Sequence, residues 1–292
     1  MRFSAPDIHN RVAEAVARLQ DDGGVFRRFT DKYHLEQQEF WLITRFRYFP
    51  GSATPQDFLT FGPYTSVSRY QSGLEALVGK AAVKRDGENR YKLAESMRKA
   101  LADAYGEFFA RLARLTAWPE EQAGSQFELL DRVYAAALHQ SEVPVPILSA
   151  AHSVLPDLDA IGVQVERRLV GLSIYRDESH IAAWREADYT GPRIELSTHL
   201  FQAESGLTHD ELRERADRLD DKDFVSALSA LHSGGEVVQR EERYRLSKAG
   251  RATREEIEAA TDRNYLKPFA ALEEDEFDRL IELLKNLAPE SH

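Results

Sequence analysis

NRYKLAESMR, residues 89–98, and ERYRLSKAGR, residues 242–251, read alike: a tyrosine between basic residues, a leucine, a small-residue step and an arginine. Tyr91 and Tyr244 lie 153 positions apart. Working outward, LEALVGKAAVKRDGENRYKL (74–93) matches LSALHSGGEVVQREERYRL (228–246) with a one-residue gap. Further upstream, Thr54 and Thr208 stand at equivalent places, each a good helix N-cap, and Glu211 three residues after Thr208 completes a capping box. Agreement in element order as well as in local residues implies that one unit occurs twice.

The first copy spells out its elements. Residues 7–20 place Ile8, Val12, Val16 and Leu19 on one helical face, and DDGG (21–24) ends that helix. Residues 36–49 carry the apolar stripe Phe40, Ile43 and Phe46, stopped by Pro50-Gly51. Thr54-Pro55 starts a short helix, Gly62-Pro63 breaks the chain, and Thr65 or Ser66 caps the next helix. On that helix Val67, Tyr70, Leu74, Leu77 and Val78 point one way, while Ser66, Arg69 and Ser72 point away. AAVKRDGENRYKLA then reads as a β-hairpin turning at Asp86-Gly87, and a long helix runs from about Glu95 to about Leu115. Helix, short helix, second helix and basic hairpin make a winged helix-turn-helix. The expected fold class is mainly α with small β-wings, with two winged units in one chain.

Composition bounds the function. The chain has 292 residues and no cysteine, which excludes disulfides, thiol nucleophiles and cysteine-ligated metal. No apolar run approaches the ~18 residues of a membrane span, and MRFSAPDIHN lacks an apolar leader core, so no membrane partner and a cytoplasmic location are the expectation. The net charge of −11 is uneven: residues 1–116 hold 18 Lys and Arg against 14 Asp and Glu, and the rest hold 20 against 35. A front at +4 and a back at −15 assign any phosphate contact to the front.

Double-stranded DNA is therefore the expected partner of the first unit. Its second helix offers Ser66, Ser68, Arg69 and Ser72 to base edges, and its wing offers Lys84, Arg85, Arg90 and Lys92 to the backbone. The plainer reading makes the same residues a solvated face of a fold kept for packing. The second unit's equivalent helix, DDKDFVSALSALHSGG, opens with Asp220, Asp221 and Asp223, which suit a helix dipole but repel phosphate. A structural or protein-contact role fits it better.

These residues resemble the MarR-type transcriptional regulators. The first unit does so over most of residues 1–116, through EQQEFWLITRF, PGSATPQDF, TSVSRYQSGLEALV and KRDGENRYKLAESMRKAL. The second resembles the C-terminal part of that fold through YRLSKAGRATREEIE and LEEDEFDRLIELLKNL. Residues 127–287 are also similar to a set of bacterial two-winged-helix proteins whose role is poorly assigned. Such regulators act as dimers with one winged helix per chain. Two units in one chain imply either a monomeric imitation of that dimer or a homodimer of double units.

The implied organisation is a first unit (1–116), a helical connector (117–205) and a second unit with a C-terminal amphipathic helix (206–292). Within the connector, Arg176, His180 and Trp184 recur at four-residue spacing. Cation, imidazole and indole on one stripe suit a small aromatic or anionic effector, which the resemblance also implies. Equally, Trp184 is core and His180 a satisfied partner. No metal-binding histidine pair, phosphate loop, dinucleotide loop or nucleophile elbow occurs, so neither an enzyme nor a cofactor is expected. The stripe Phe277, Leu280, Ile281, Leu284 and Leu287 reads as packing. The alternative to a DNA-binding regulator is a winged-helix interaction or scaffold module that does not bind DNA.

Overall fold

The computed structural model describes residues 4–20, 24–114, 120–154 and 160–287. Its elements are α1 (Ala5–Gln20), α2 (Val25–Tyr33), α3 (Gln37–Arg45), α4 (Val67–Gly79), β1 (Val83–Arg85), β2 (Tyr91–Leu93) and α5 (Glu95–Leu112). Then come α6 (Glu120–His139), α7 (Pro146–Val154), α8 (Ile161–Glu186), α9 (Gly191–Gln202), β3 (Leu207–Thr208), α10 (His209–Arg215) and α11 (Asp221–Ser233). The last are β4 (Val237–Arg240), β5 (Arg243–Leu246), α12 (Lys248–Leu266) and α13 (Glu274–Leu287). Short 3₁₀ segments cover Phe46–Tyr48, Pro55–Thr60 and Lys267–Ala271. Helix dominates, and the strands form small antiparallel sheets, β1-β2 and β3-β5-β4. No helix among the described residues is long and apolar enough to cross a membrane. The proposed DDGG stop of α1 falls on residues 21–23, outside the described residues.

By its contacts the chain divides into two units that do not follow chain order. The first unit takes residues 1–36, 95–179 and 261–292; the second takes 37–94 and 180–260. Each of the segments 1–116, 117–205 and 206–292 thus contributes to both. The boundaries fall before α3, at the start of α5, within α8 and within α12.

The first unit is helical. α13 packs on α1 and α6, and the 3₁₀ turn at 267–271 lies against α6. Its periodic stripe Phe277, Leu280, Ile281, Leu284 and Leu287 is buried throughout. On α1 the interior takes Ile8, Val12, Ala15 and Leu19, with Val16 half-buried at the edge of that stripe. Aromatic edges fill the seams, Phe26 on Tyr105 and Phe108, Tyr265 between Tyr175 and Phe269. Arg132 ties α6 to α13 through Glu276 at 2.6 Å.

The second unit holds both helix-hairpin assemblies. In one, α3 and the 3₁₀ turn 55–60 support α4, which leads to the β1-β2 hairpin. In the other, α9 and α10 precede α11 and the β4-β5 hairpin, and α9 packs on α11 as α3 packs on α4. In the sequence reading α9 belongs to the connector. Matching local bonds recur. Thr54 with Asp57 and Thr208 with Glu211 both close capping boxes. Ala53 bridges Tyr91, and Leu207 pairs with Tyr244. Ala94 N–H donates to Ala82 O at 3.0 Å, and Ser247 N–H to Glu236 O at 2.8 Å.

Candidate nucleic-acid interface

α4 forms because Ser66 sits extended at its N-cap and Tyr70, Leu74 and Leu77 recur at helical spacing. Those three side chains are buried, and Tyr70 stacks on Trp41 of α3 with ring centroids 5.7 Å apart. That packing turns Ser68, Arg69 and Ser72 outward, where all three are exposed. Ser66 is different. It is 2% exposed.

The wing differs from its sequence reading in one respect. β1 and β2 pair Val83 with Leu93 and Arg85 with Tyr91, so the loop spans 86–90 rather than Asp86-Gly87 alone. Positive φ at Gly87 (116°) and Asn89 (53°) spreads the reversal over five residues. Lys84, Arg85, Arg90 and Lys92 are all exposed. Arg85 meets Glu75 of α4 at 2.5 Å, and Tyr91 O–H donates to the same carboxylate. The Arg85 hydrogen bond, then the Tyr91 one, hold the Glu75 carboxyl below its ordinary range. Lys92 pairs with Asp86, and Arg90 donates to the Ser52 hydroxyl and carbonyl at 2.9 and 2.8 Å. Lys84 has no partner among the described residues. Between α4 and the wing lies an open cleft of about 500 Å³, lined by Gln71, Glu75, Arg85, Glu88 and Tyr91.

The second assembly meets the first end to end. Ser66 and Asp220 are the N-cap residues of α4 and α11. Asp220 N–H donates to Ser66 Oγ at 2.9 Å, and Ser66 Oγ donates to Asp223 Oδ2 at 2.5 Å. Ser66 N–H donates to Arg218 O at 3.0 Å, Ser68 Oγ to Asp220 Oδ2 at 2.5 Å, and Arg69 Nη2 to Leu219 O at 3.4 Å. The positive ends of two helix dipoles converge there, and the carboxylates of Asp220 and Asp223 offset them. The Ser68 hydrogen bond, followed by the Asp223 N–H, holds the Asp220 carboxyl below its usual value. Asp221 faces out and pairs with Arg213 at 2.9 Å. The sequence marked both sets of residues, and its one hint that they meet is that serine donors and aspartate acceptors occupy equivalent helix ends.

The α8 stripe separates by environment. Arg176 pairs with Asp262 at 3.5 Å in the first unit. In the second unit Trp184 is 3% exposed and its indole N–H donates to Tyr64 O–H at 3.5 Å. His180 is half-buried, its ring 6.4 Å from that of Tyr64. Trp184 thus serves as core, and Tyr64, which the sequence did not single out, is the residue its stripe faces.

No curated protein and no solved structure matches this chain. The model of a helix-turn-helix family matches residues 74–291, about three-quarters of the length, from within α4 to beyond α13. With α4, its wing, α11 and the second wing in place, the chain belongs to that helix-turn-helix family.

Proposed function

We propose that this protein is a DNA-binding transcriptional regulator of MarR-like type, whose single chain carries a duplicated winged helix in imitation of a dimer. The first assembly is the reader. The observation that carries this is the open cleft between α4 and its wing, with Arg85 on its wall, Ser68, Arg69 and Ser72 exposed on α4, and Lys84 exposed on the wing. The recurring bonds at Ala53–Tyr91 and Leu207–Tyr244 support the duplication. A gel-shift titration on random duplex DNA tests the reading at ~50 mM and ~200 mM salt, because each phosphate neutralised steepens the salt slope by about one unit. Binding at the lower salt that weakens steeply at the higher is expected. No binding at either salt, from a folded protein, overturns it.

One set of contacts favours a second reading, the interaction module. Arg85, Arg90 and Lys92 each hold an internal partner, and α11 opens on aspartates. That reading takes over if duplex DNA fails to bind.

A further inference from the structure

We infer that the contact between the N-termini of α4 and α11 is an intramolecular lock, in which α11 occupies the DNA-reading end of α4 and DNA must displace it. This rests on the proposed reading of α4 as the DNA-contacting helix.

Ser66, Ser68 and Arg69 are the first-turn groups of α4, the turn that meets base edges when such a helix enters a major groove. A groove offers them acceptor atoms, purine N7 and carbonyl oxygens. Here each already has an oxygen acceptor on the other assembly: Asp223 for Ser66, Asp220 for Ser68 and the Leu219 carbonyl for Arg69. α11 therefore presents negative and carbonyl oxygens where DNA would. Burial agrees, since Ser66 is only 2% exposed at the centre of the contact.

Distance makes the closed form incompatible with two-site reading. Paired recognition helices in successive major grooves stand ~34 Å apart. The N-caps of α4 and α11 are bonded directly, at 2.9 Å from Asp220 N to Ser66 Oγ. Both helices cannot read adjacent grooves in this arrangement, and α4 alone cannot enter without shedding its neighbour. The apparent affinity is then the intrinsic one reduced by the open fraction. The acidic start of α11 thereby acquires a role: it competes with DNA for the first turn of α4.

The chain contains no cysteine, so Ser68→Cys with Asp220→Cys places one pair of thiols across the contact and no other, and thiol titration verifies that oxidation closes it. Oxidised and reduced forms of that variant are compared by gel shift on duplex DNA at ~50 mM salt. Beside them runs Asp220→Ser with Asp223→Ala, which retains an N-cap at 220 and removes both carboxylates. Asp221→Asn controls for lost charge, because Asp221 lies on the same helix end but outside the contact. The lock predicts that the oxidised form binds about tenfold or more weaker than the reduced form of the same variant, while the carboxylate-free variant binds about tenfold tighter than wild type, as expected where about a tenth of molecules are open. Asp221→Asn should change affinity far less. Equal binding by oxidised, reduced and wild-type protein overturns the lock and leaves the DNA-binding reading standing, as does equal tightening in the Asp221→Asn control. Failure of every form to bind, reduced and carboxylate-free included, removes the DNA-binding reading and the lock with it.

Discussion

Glu178 of α8 is 3% exposed, and its carboxylate accepts the N–H groups of Ile147 at 2.6 Å and Leu148 at 3.3 Å. It thus caps the N-terminus of α7 from 30 residues away. Burial pushes its carboxyl up to about 7, against the pull of those two hydrogen bonds. An acid whose pKa is raised by folding binds its proton more tightly in the folded state. Stability from this group is full below about 4.5, falls as pH rises towards about 7, and is level beyond. The difference amounts to about 3 kcal/mol at most. Glu178→Gln keeps an acceptor for the α7 N–H groups without a titrating proton. Urea unfolding at pH 5, 6, 7 and 8 should show the variant's advantage over wild type growing with pH; a constant difference would mean that Glu178 is not held protonated. Sequence offered nothing here, because one Glu among the charged residues of α8 looks like solvated surface until α7 closes over it.

Elements show a different kind of hidden detail in the second wing. β4 and β5 pair Arg240 with Arg243, so Glu241-Glu242 is a two-residue turn. Both residues have positive φ, 49° and 64°. That is the backbone of a turn usually filled by Asn-Gly, and each side chain there costs about 1 kcal/mol relative to glycine. Glu242→Gly should therefore stabilise the protein by about 0.5–1 kcal/mol in urea unfolding, and destabilisation would show that the pair is held by contacts other than the turn. Nothing in QREERYR signals a turn. The first wing was legible, because Asp86-Gly87 is such a signal, though its loop proved longer.

The two recognition-type helices also differ as elements. Arg69 is exposed near the start of α4, whereas the matching turn of α11 carries Asp221, Lys222 and Asp223. Arg69→Ala should cost about 1–3 kcal/mol of DNA affinity, and Lys222→Ala less. Equal losses in the same titration would show that both helices read DNA.

For the whole molecule, the division into units follows burial and not chain order. α13 closes the first unit by packing on α1, more than 250 residues earlier, and on α6. Leu280 is fully buried there. Leu280→Ala should cost about 2–5 kcal/mol in unfolding free energy, the range for a leucine removed from a packed core. A loss below about 1 kcal/mol would mean that α13 only lies on the surface. The periodicity of α13 was plain in the sequence, and so was its apolar face. What covers that face was not.

The sequence by itself determined the main helices and the first wing, the N-cap at Thr54 and the capping box at Thr208, the buried faces of α4 and α13, and the likeness between the regions around Tyr91 and Tyr244. All of these follow from side-chain periodicity and short-range hydrogen bonding, which act over a few residues. Tertiary structure alone decided that the chain sorts into two interleaved units, that α9 supports α11, that Trp184 turns to Tyr64, and that Ser66 meets Asp220 and Asp223. The Trp184–Tyr64 and Ser66–Asp223 bonds join groups 120 and 157 positions apart, and no local pattern specifies them. The second arises where two helix N-termini, each short of partners, bring serine donors and carboxylate acceptors within bonding distance.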